Sequence, residues 1–383
     1  TGPMFVGITN TPRDYAWGST TAIAELLGTT PSGAPEAELW LGAHPGSPSR
    51  IVGSDDTVAD LVGGRLPFLL KVLAAASPLS LQAHPTMQQA AAGFERENAL
   101  GIPLDAPNRN YKDAFHKPEL IFALSDSFRA LCGFRSAHAI ASTVERMIGA
   151  LPGDSALNGF SDRLLSDDDL RAAFEWLVTG GDDVAELVAA AVEAAALLEG
   201  DNFTLVGELA DADPGDPGIV VSLMLNLVTL KPGEVLYLPA GNIHAYVEGL
   251  GIELMASSDN VLRGGLTPKH IDVPELLSVL DFTPVPVPYL APVELPGGIA
   301  LYQPGVPDFE LAAVTEPVVG TRFALAGDSI ALCTAGEFTL AGETSSVTLH
   351  RGESVFVTAE EATLTISGEG ALFVAGPAGS HTA

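Results

Sequence analysis

The chain has 383 residues and a formal net charge of -30, from 18 Lys plus Arg against 48 Asp plus Glu. A cation deficit of that size excludes a nucleic-acid partner, whose phosphate backbone is bound through clustered positive charge. With 47% hydrophobic and 17% charged residues the composition is globular, and the length suggests about two or three domains.

The elements read in chain order as follows. Up to about Arg135 the text is rich in Gly, Pro and short apolar runs, such as Leu66 to Ala76 and Leu120 to Leu124, which predicts short strands and loops. From Ser136 to Gly200 the period changes. His138–Leu151, Leu170–Val178 and Val184–Leu198 space apolar residues three and four apart, as helices do. The acids of Ser166–Asp169 and Asp182–Asp183 stand where helix N-termini favour negative charge. Asp211–Gly218 reads as a linker, Leu225–Leu238 as strands around a turn at Lys231–Glu234, and Pro284–Pro288 as an extended connection. From about Phe309 to Ala375 the pattern is strand-like throughout, and Gly352-Glu-Ser-Val-Phe-Val echoes Gly233-Glu-Val-Leu-Tyr-Leu. The expected fold is mainly β with a helical insertion. Its units are a β-barrel or sandwich formed by residues 1–135 and 212–283, a helical insert at 136–211, and a second such β unit at 284–383.

The two cysteines, Cys132 and Cys333, offer neither a disulfide framework nor a Cys-rich metal cluster, and a reducing cytoplasm is the expected compartment. Thr1–Ala16 lacks the apolar run behind basic residues that marks a secretory leader. The longest apolar stretch, Ile219–Leu230, is broken by Ser222 and Asn226 and falls short of the roughly 20 residues that span a bilayer, so no membrane partner is expected.

Four blocks could carry chemistry. In Leu79-Ser-Leu-Gln-Ala-His-Pro85, strand alternation puts Ser80, Gln82 and His84 on one face, and both Gln and neutral His can ligate a divalent metal; a satisfied core histidine is the plainer reading of that block alone. In Tyr111-Lys-Asp-Ala-Phe-His-Lys-Pro-Glu119, Pro118 makes Lys117 extended, so His116, Lys117 and Glu119 project from a loop or strand edge. Gly233-(five residues)-Pro239-Ala-Gly-Asn-Ile-His244 has the spacing of the second cupin motif, a turn that sends His244 into a barrel interior. In Ile252–Lys269, Glu253 interrupts an apolar strand while Arg263 and Lys269 bracket a Gly-Gly loop, a cationic pairing suited to phosphate or a sugar oxyanion.

Together with Tyr15-Ala-Trp17, Ala37-Glu-Leu-Trp-Leu-Gly-Ala-His44 and Leu66-Pro-Phe-Leu-Leu-Lys71, these blocks resemble the type I phosphomannose isomerases, aldose-ketose isomerases of the cupin superfamily, over roughly Tyr15–Leu277. The resemblance implies a metal-binding cupin (jelly-roll) barrel, a helical insert domain and a degenerate C-terminal cupin-like domain without metal. It also implies one Zn2+ per chain, held by Gln82, His84, Glu119 and His244. The catalytic positions fall on Arg263, Lys117 and Glu253, with Lys117 and Glu253 competing for the proton-transfer role. Substrate contacts fall on Trp17, Lys71, Ser80 and Lys269. The implied reaction is reversible isomerisation of D-mannose 6-phosphate and D-fructose 6-phosphate through a cis-enediol, feeding mannose and GDP-mannose metabolism, by a cytoplasmic monomer whose partner is a small phosphorylated sugar.

The helical region contributes nothing to the resemblance, and Thr358 stands in the C-terminal echo where Pro239 stands in the first unit. Two other classes remain open at this point. One is a cupin oxygenase using Fe or Mn, the other a non-catalytic sugar-phosphate-binding regulator. Of the five lysines, all but Lys231 fall within the blocks above, so the few cations of an acidic chain mark the expected pocket.

Overall fold

A computed structural model describes residue 2 and residues 4–381; residues 1, 3, 382 and 383, at the outer ends of the first and last expected units, lie outside the described residues. The run FLLKVLAA at Phe68–Ala75 forms a strand buried at every position, which a continuous apolar run does when both its faces are covered. It pairs with Glu38–Leu41 on one side and with the far half of the 13-residue strand His244–Ala256 on the other. That far half also pairs with Glu119–Ala123, which pairs in turn with Val235–Leu238. The near half of the same strand, from His244 to Glu248, instead meets Leu81–Ala83 and Phe128–Phe134. One strand therefore serves two facing sheets. The change of partner falls at Gly249, where φ is +142° and a Cβ would stand 2.9 Å from the backbone of Phe128, so the crossing needs a residue without a side chain.

The two outer faces of this sandwich are covered by different units. Leu70, Val72, Leu120, Phe122, Ile252 and Leu254 pack against Tyr302, Phe309, Leu311, Ile330, Phe356 and Phe373 of the C-terminal sheet. On the other side Leu81, Leu131, Ile243, Ala245 and Leu262 join the core of the helical insert. Between the sheets, Leu73, Ile121, Phe128, Leu236 and Tyr246 fill one end of the interior, leaving the other end to polar side chains.

The insert contains the three expected helices at Ala137–Ala150, Leu170–Thr179 and Asp182–Ala196. Two further helices of the insert, Ser155–Asp162 and Asp201–Ala212, lie outside the three segments singled out in the sequence, and the second ends at Ala212, so the expected linker begins two residues late. Asp167 caps a helix other than its neighbour: its carboxylate accepts the Ala137 amide at 2.8 Å. The first unit also holds an unexpected helix, Met87–Ala99, started by a capping box of Thr86 and Gln89. The loop-and-strand expectation missed it because its apolar face is mostly alanine and glycine.

The C-terminal sheet is antiparallel and includes the long paired strands Ser329–Ala341 and Thr363–Gly376. It also takes in the start of the chain, since Phe5–Thr9 pairs with Ser354–Val357. The Gly-Glu echo is conformational as well: Gly233 and Gly352 both sit at φ +87° in the turn before a strand. Among the described residues no helix is long and apolar enough to cross a membrane.

Candidate functional site

Strand register assembles the polar end of the sandwich. His244 lies opposite Gln82, and Gln82 lies opposite Arg263 on its other side, so three strands present these side chains in one row. In the facing sheet Trp40, Lys71 and Glu253 form a second row. Glu119 opens its strand opposite Met255, immediately after the Pro118 that ends the preceding loop. Single polar residues thus emerge from apolar strands at positions where pleating turns them inward.

At the centre are His84, Glu119 and His244, each no more than 1% exposed, with one ligand atom apiece within 4.8 Å of the others. Nδ1 of His84 lies 2.9 Å from the Asn260 carbonyl oxygen, and Nδ1 of His244 lies 2.9 Å from that of Asn242. A carbonyl only accepts, so both Nδ1 atoms carry the proton and both Nε2 atoms turn a lone pair to the centre. Those lone pairs stand 3.1 Å and 2.6 Å from the same Oε1 of Glu119, and Nε2 of His244 makes no hydrogen bond. Three buried acceptors facing one another are unfavourable unless a cation lies among them. Burial pushes His84 down to about 4, which keeps it neutral and ready to ligate. For Glu119 burial opposes the charge, but its neighbours, Lys117 among them, outweigh it and hold the carboxyl well below its usual range. This neutral-neutral-anionic set fits a divalent metal of borderline softness.

Around the centre is a cleft of about 720 Å³ lined by Trp17, Ser80, Gln82, Lys117, Arg263 and Lys269, among others. Every site residue expected from the sequence lines this cleft or forms the three-residue centre. His116, in the same sequence block as Lys117, turns the other way to pair with Asp308 of the C-terminal unit at 2.8 Å. Lys71, expected as a substrate contact, is 7% exposed and engaged by protein: its Nζ lies 3.4 Å from Glu38, 3.8 Å from Glu253 and 4.7 Å from the ring of Trp40. Burial disfavours its charge, yet Glu38, Glu253 and Glu119 outweigh that and raise its pKa. The pKa of Glu253 is raised too, which here favours the neutral form: burial and the charge of Glu119 push it up to about 7, with Lys71 pulling it back.

Arg109, Lys112, Lys117, Arg263 and Lys269 also line the cleft. Burial, Arg263 and Arg109 lower the pKa of Lys112, a lining residue whose Nζ donates to the Leu104 carbonyl at 2.7 Å. The sequence blocks contained Lys112 and Glu38 without assigning them a role. An acid two residues before a tryptophan, on one face of a short apolar strand, is the signal that would have found Glu38, which accepts the Trp40 indole N–H at 2.8 Å. Tyr246 was equally available, being on the same face as His244 by alternation; its buried hydroxyl has no hydrogen-bond partner. Asn260 was not, because its work is loop geometry: its side chain accepts the Lys112 amide at 2.7 Å and donates to the Phe115 carbonyl at 2.8 Å while its own carbonyl orients His84.

Residues 5–137 match the family described as phosphomannose isomerase type I, catalytic domain, and residues 323–377 match the mannose-6-phosphate isomerase cupin domain. The chain is 39% identical to mannose-6-phosphate isomerase of Salmonella typhimurium, covering 95% of this chain and 97% of that one. It is 33% identical to the Homo sapiens enzyme of that name, covering 91% and 92%. Among solved structures, mannose 6-phosphate isomerase with zinc bound superposes with a TM-score of 0.89 at 37% identity, covering 97% of this chain and 99% of that one. A mutant of phosphomannose isomerase from Salmonella typhimurium gives 0.90 at 36%, with the same coverage. With identity at this level over nearly the full length of both chains, the protein belongs to the type I phosphomannose isomerase family.

Proposed function

We propose that the chain interconverts D-mannose 6-phosphate and D-fructose 6-phosphate by moving a proton between C2 and C1 through a cis-enediol. The observation that carries this reading is the buried trio of inward-facing acceptors at His84, Glu119 and His244, in a cleft that Lys117, Arg263 and Lys269 also line. Gln82, His84, Glu119 and His244 would hold Zn2+, the ion in the related solved structure. When bound, that ion supplies Lewis-acid polarisation of substrate oxygens.

The remaining tasks belong to the chain. Glu253, pushed up to about 7, is poised to take a proton from carbon and return it at the adjacent carbon; Lys117, 9% exposed just before the neighbouring strand Glu119–Ala123, is the competing group. Lys71 is assigned to holding Glu253 rather than to phosphate. Arg263 stabilises the enediolate oxygens as charge develops on them. Ser80, Lys112 and Lys269 take the phosphate, and Trp17 packs against the sugar. The domain division at 135, 211 and 283 is retained, with the Phe5–Thr9 strand reassigned to the C-terminal unit. A cytoplasmic monomer feeding mannose and GDP-mannose metabolism completes the proposal.

The test is proton NMR in deuterated buffer with zinc at one per chain. Mannose 6-phosphate should give fructose 6-phosphate, with deuterium entering at the exchanging carbon. Zinc-loaded protein that binds the sugar phosphate without turnover or exchange sinks the reading.

A further inference from the structure

The linker between the helical insert and the β unit holds one side chain that reaches across to the substrate end of the cleft. Asp216 places Oδ1 within 2.7 Å of the Gly218 amide and 3.0 Å of the Leu266 amide, and Oδ2 within 3.2 Å of the Thr267 amide. Leu266 and Thr267 both line the cleft, as do Arg263 and Lys269 on either side of them. Leu266 has φ +56°, a left-handed conformation that a side chain adopts only where its surroundings hold it there. Two things hold it. Its side chain is buried in the core of the helical insert, and its amide is fixed by the carboxylate.

The two backbones also approach where neither carries a side chain. A Cβ on Gly265 would stand 3.1 Å from the Gly218 Cα, and one on Gly218 would stand 2.8 Å from the Leu266 nitrogen. Without the carboxylate, three amides in this close contact would lose an ionised acceptor, and the loop would be free to relax towards ordinary φ.

We propose that Asp216 is a positioning residue for substrate binding: it clamps the Leu266–Thr267 backbone and so sets where Arg263 and Lys269 stand. The linker that follows the helical insert thereby takes part in recognising the sugar phosphate although it contributes no ligand to the metal centre. The proposal rests on the isomerase reading above, in which those two cations meet the substrate.

Three variants test it: Asp216→Ala, Asp216→Asn and, as a control, Asp211→Ala, an exposed position on the preceding helix. The expected result for Asp216→Ala is a KM for mannose 6-phosphate raised about tenfold, the size of a lost charge-assisted hydrogen bond, with kcat within about threefold and zinc content unchanged. Hydrogen exchange at the Leu266 and Thr267 amides should accelerate by a similar factor. Asp216→Asn keeps an oxygen for Gly218 and Leu266 but not for Thr267, so it should fall between wild type and Asp216→Ala and serves if the alanine variant does not fold. Unchanged KM with unchanged exchange overturns the proposal. So does a parallel loss of zinc, kcat and melting temperature at constant KM, which marks a merely structural residue. Wild-type protein without isomerase activity would refute the functional reading instead, while exchange at the two amides would still decide whether Asp216 clamps the loop.

Discussion

Replacing Lys71 by Met separates two roles that a buried lysine in this cleft could have. The ammonium sits 3.8 Å from Oε1 of Glu253 and 3.4 Å from Oε1 of Glu38, with both carboxylates nearly inaccessible to solvent. At an effective dielectric constant of about 20, unit charges 3.8 Å apart attract by roughly 4 kcal/mol, equivalent to at most about 3 pH units on Glu253. Glu253 already stands at about 7 because burial and Glu119 raise it and Lys71 opposes them. Removing the opposing charge pushes it higher. A base with a higher pKa is protonated over more of the neutral range, so the acidic limb of kcat/KM should move alkaline by about 1 to 3 units, and activity lost at pH 7 should return near pH 9. Stability should fall by about 3–5 kcal/mol, the cost of leaving buried carboxylates without their partner. The assay is a pH profile of mannose 6-phosphate turnover from pH 5.5 to 10, with zinc content measured in parallel. An unmoved limb accompanied by a large rise in KM would refute the reasoning, because that is what a phosphate contact does when removed.

The metal centre and the backbone give further expectations. His84→Ala and His244→Ala should each abolish zinc binding and turnover together, as should a chelator, with added Zn2+ restoring only the chelated wild type; metal analysis beside the assay decides it. In the wild type the acidic limb should lie at or below about 7, since a bound dication draws Glu253 down from the value its buried neighbours set; Glu253→Gln should remove that limb and the solvent exchange of the substrate proton, whereas persistence of both would transfer the base role to Lys117. Gly352→Ala should destabilise the fold more than Gly233→Ala in urea melts. Both lie at φ +87°, which costs an alanine about 1 kcal/mol, but a Cβ at 352 also comes within 2.6 Å of the Leu27 carbonyl oxygen while 233 faces open space.

The site was legible in the sequence where a local period carries the chemistry. Gln82-Ala-His84 shares a face by alternation, and Pro239-Ala-Gly-Asn-Ile-His244 places its histidine by turn geometry. What the sequence withheld depends on pairing between distant segments. Nothing around Lys71 says that Glu38 and Glu253 lie on either side of it, because that juxtaposition exists only once three strands settle in register. The same holds for Asp216, whose text, Asp-Ala-Asp-Pro-Gly-Asp-Pro-Gly, reads as a flexible linker and not as an acceptor for amides 50 residues away. The Met87–Ala99 helix escaped because alanine and glycine give its buried stripe little hydrophobic contrast.

The seating of Phe5–Thr9 beside Ser354–Val357 bears on how the molecule is made. The Ser354 hydroxyl donates to the Ile8 carbonyl across 346 positions of chain. A ribosome adding about 5–20 residues per second needs on the order of tens of seconds to connect those two events. During that interval the metal-binding sandwich and the helical insert can fold, while the first strand has only the two-residue strand Arg50–Ile51 to pair with. Closure of the C-terminal sheet is then a late, sequence-distant step of the kind that slows folding, and an occupied metal centre could exist on a nascent chain before its last sheet has found its first strand.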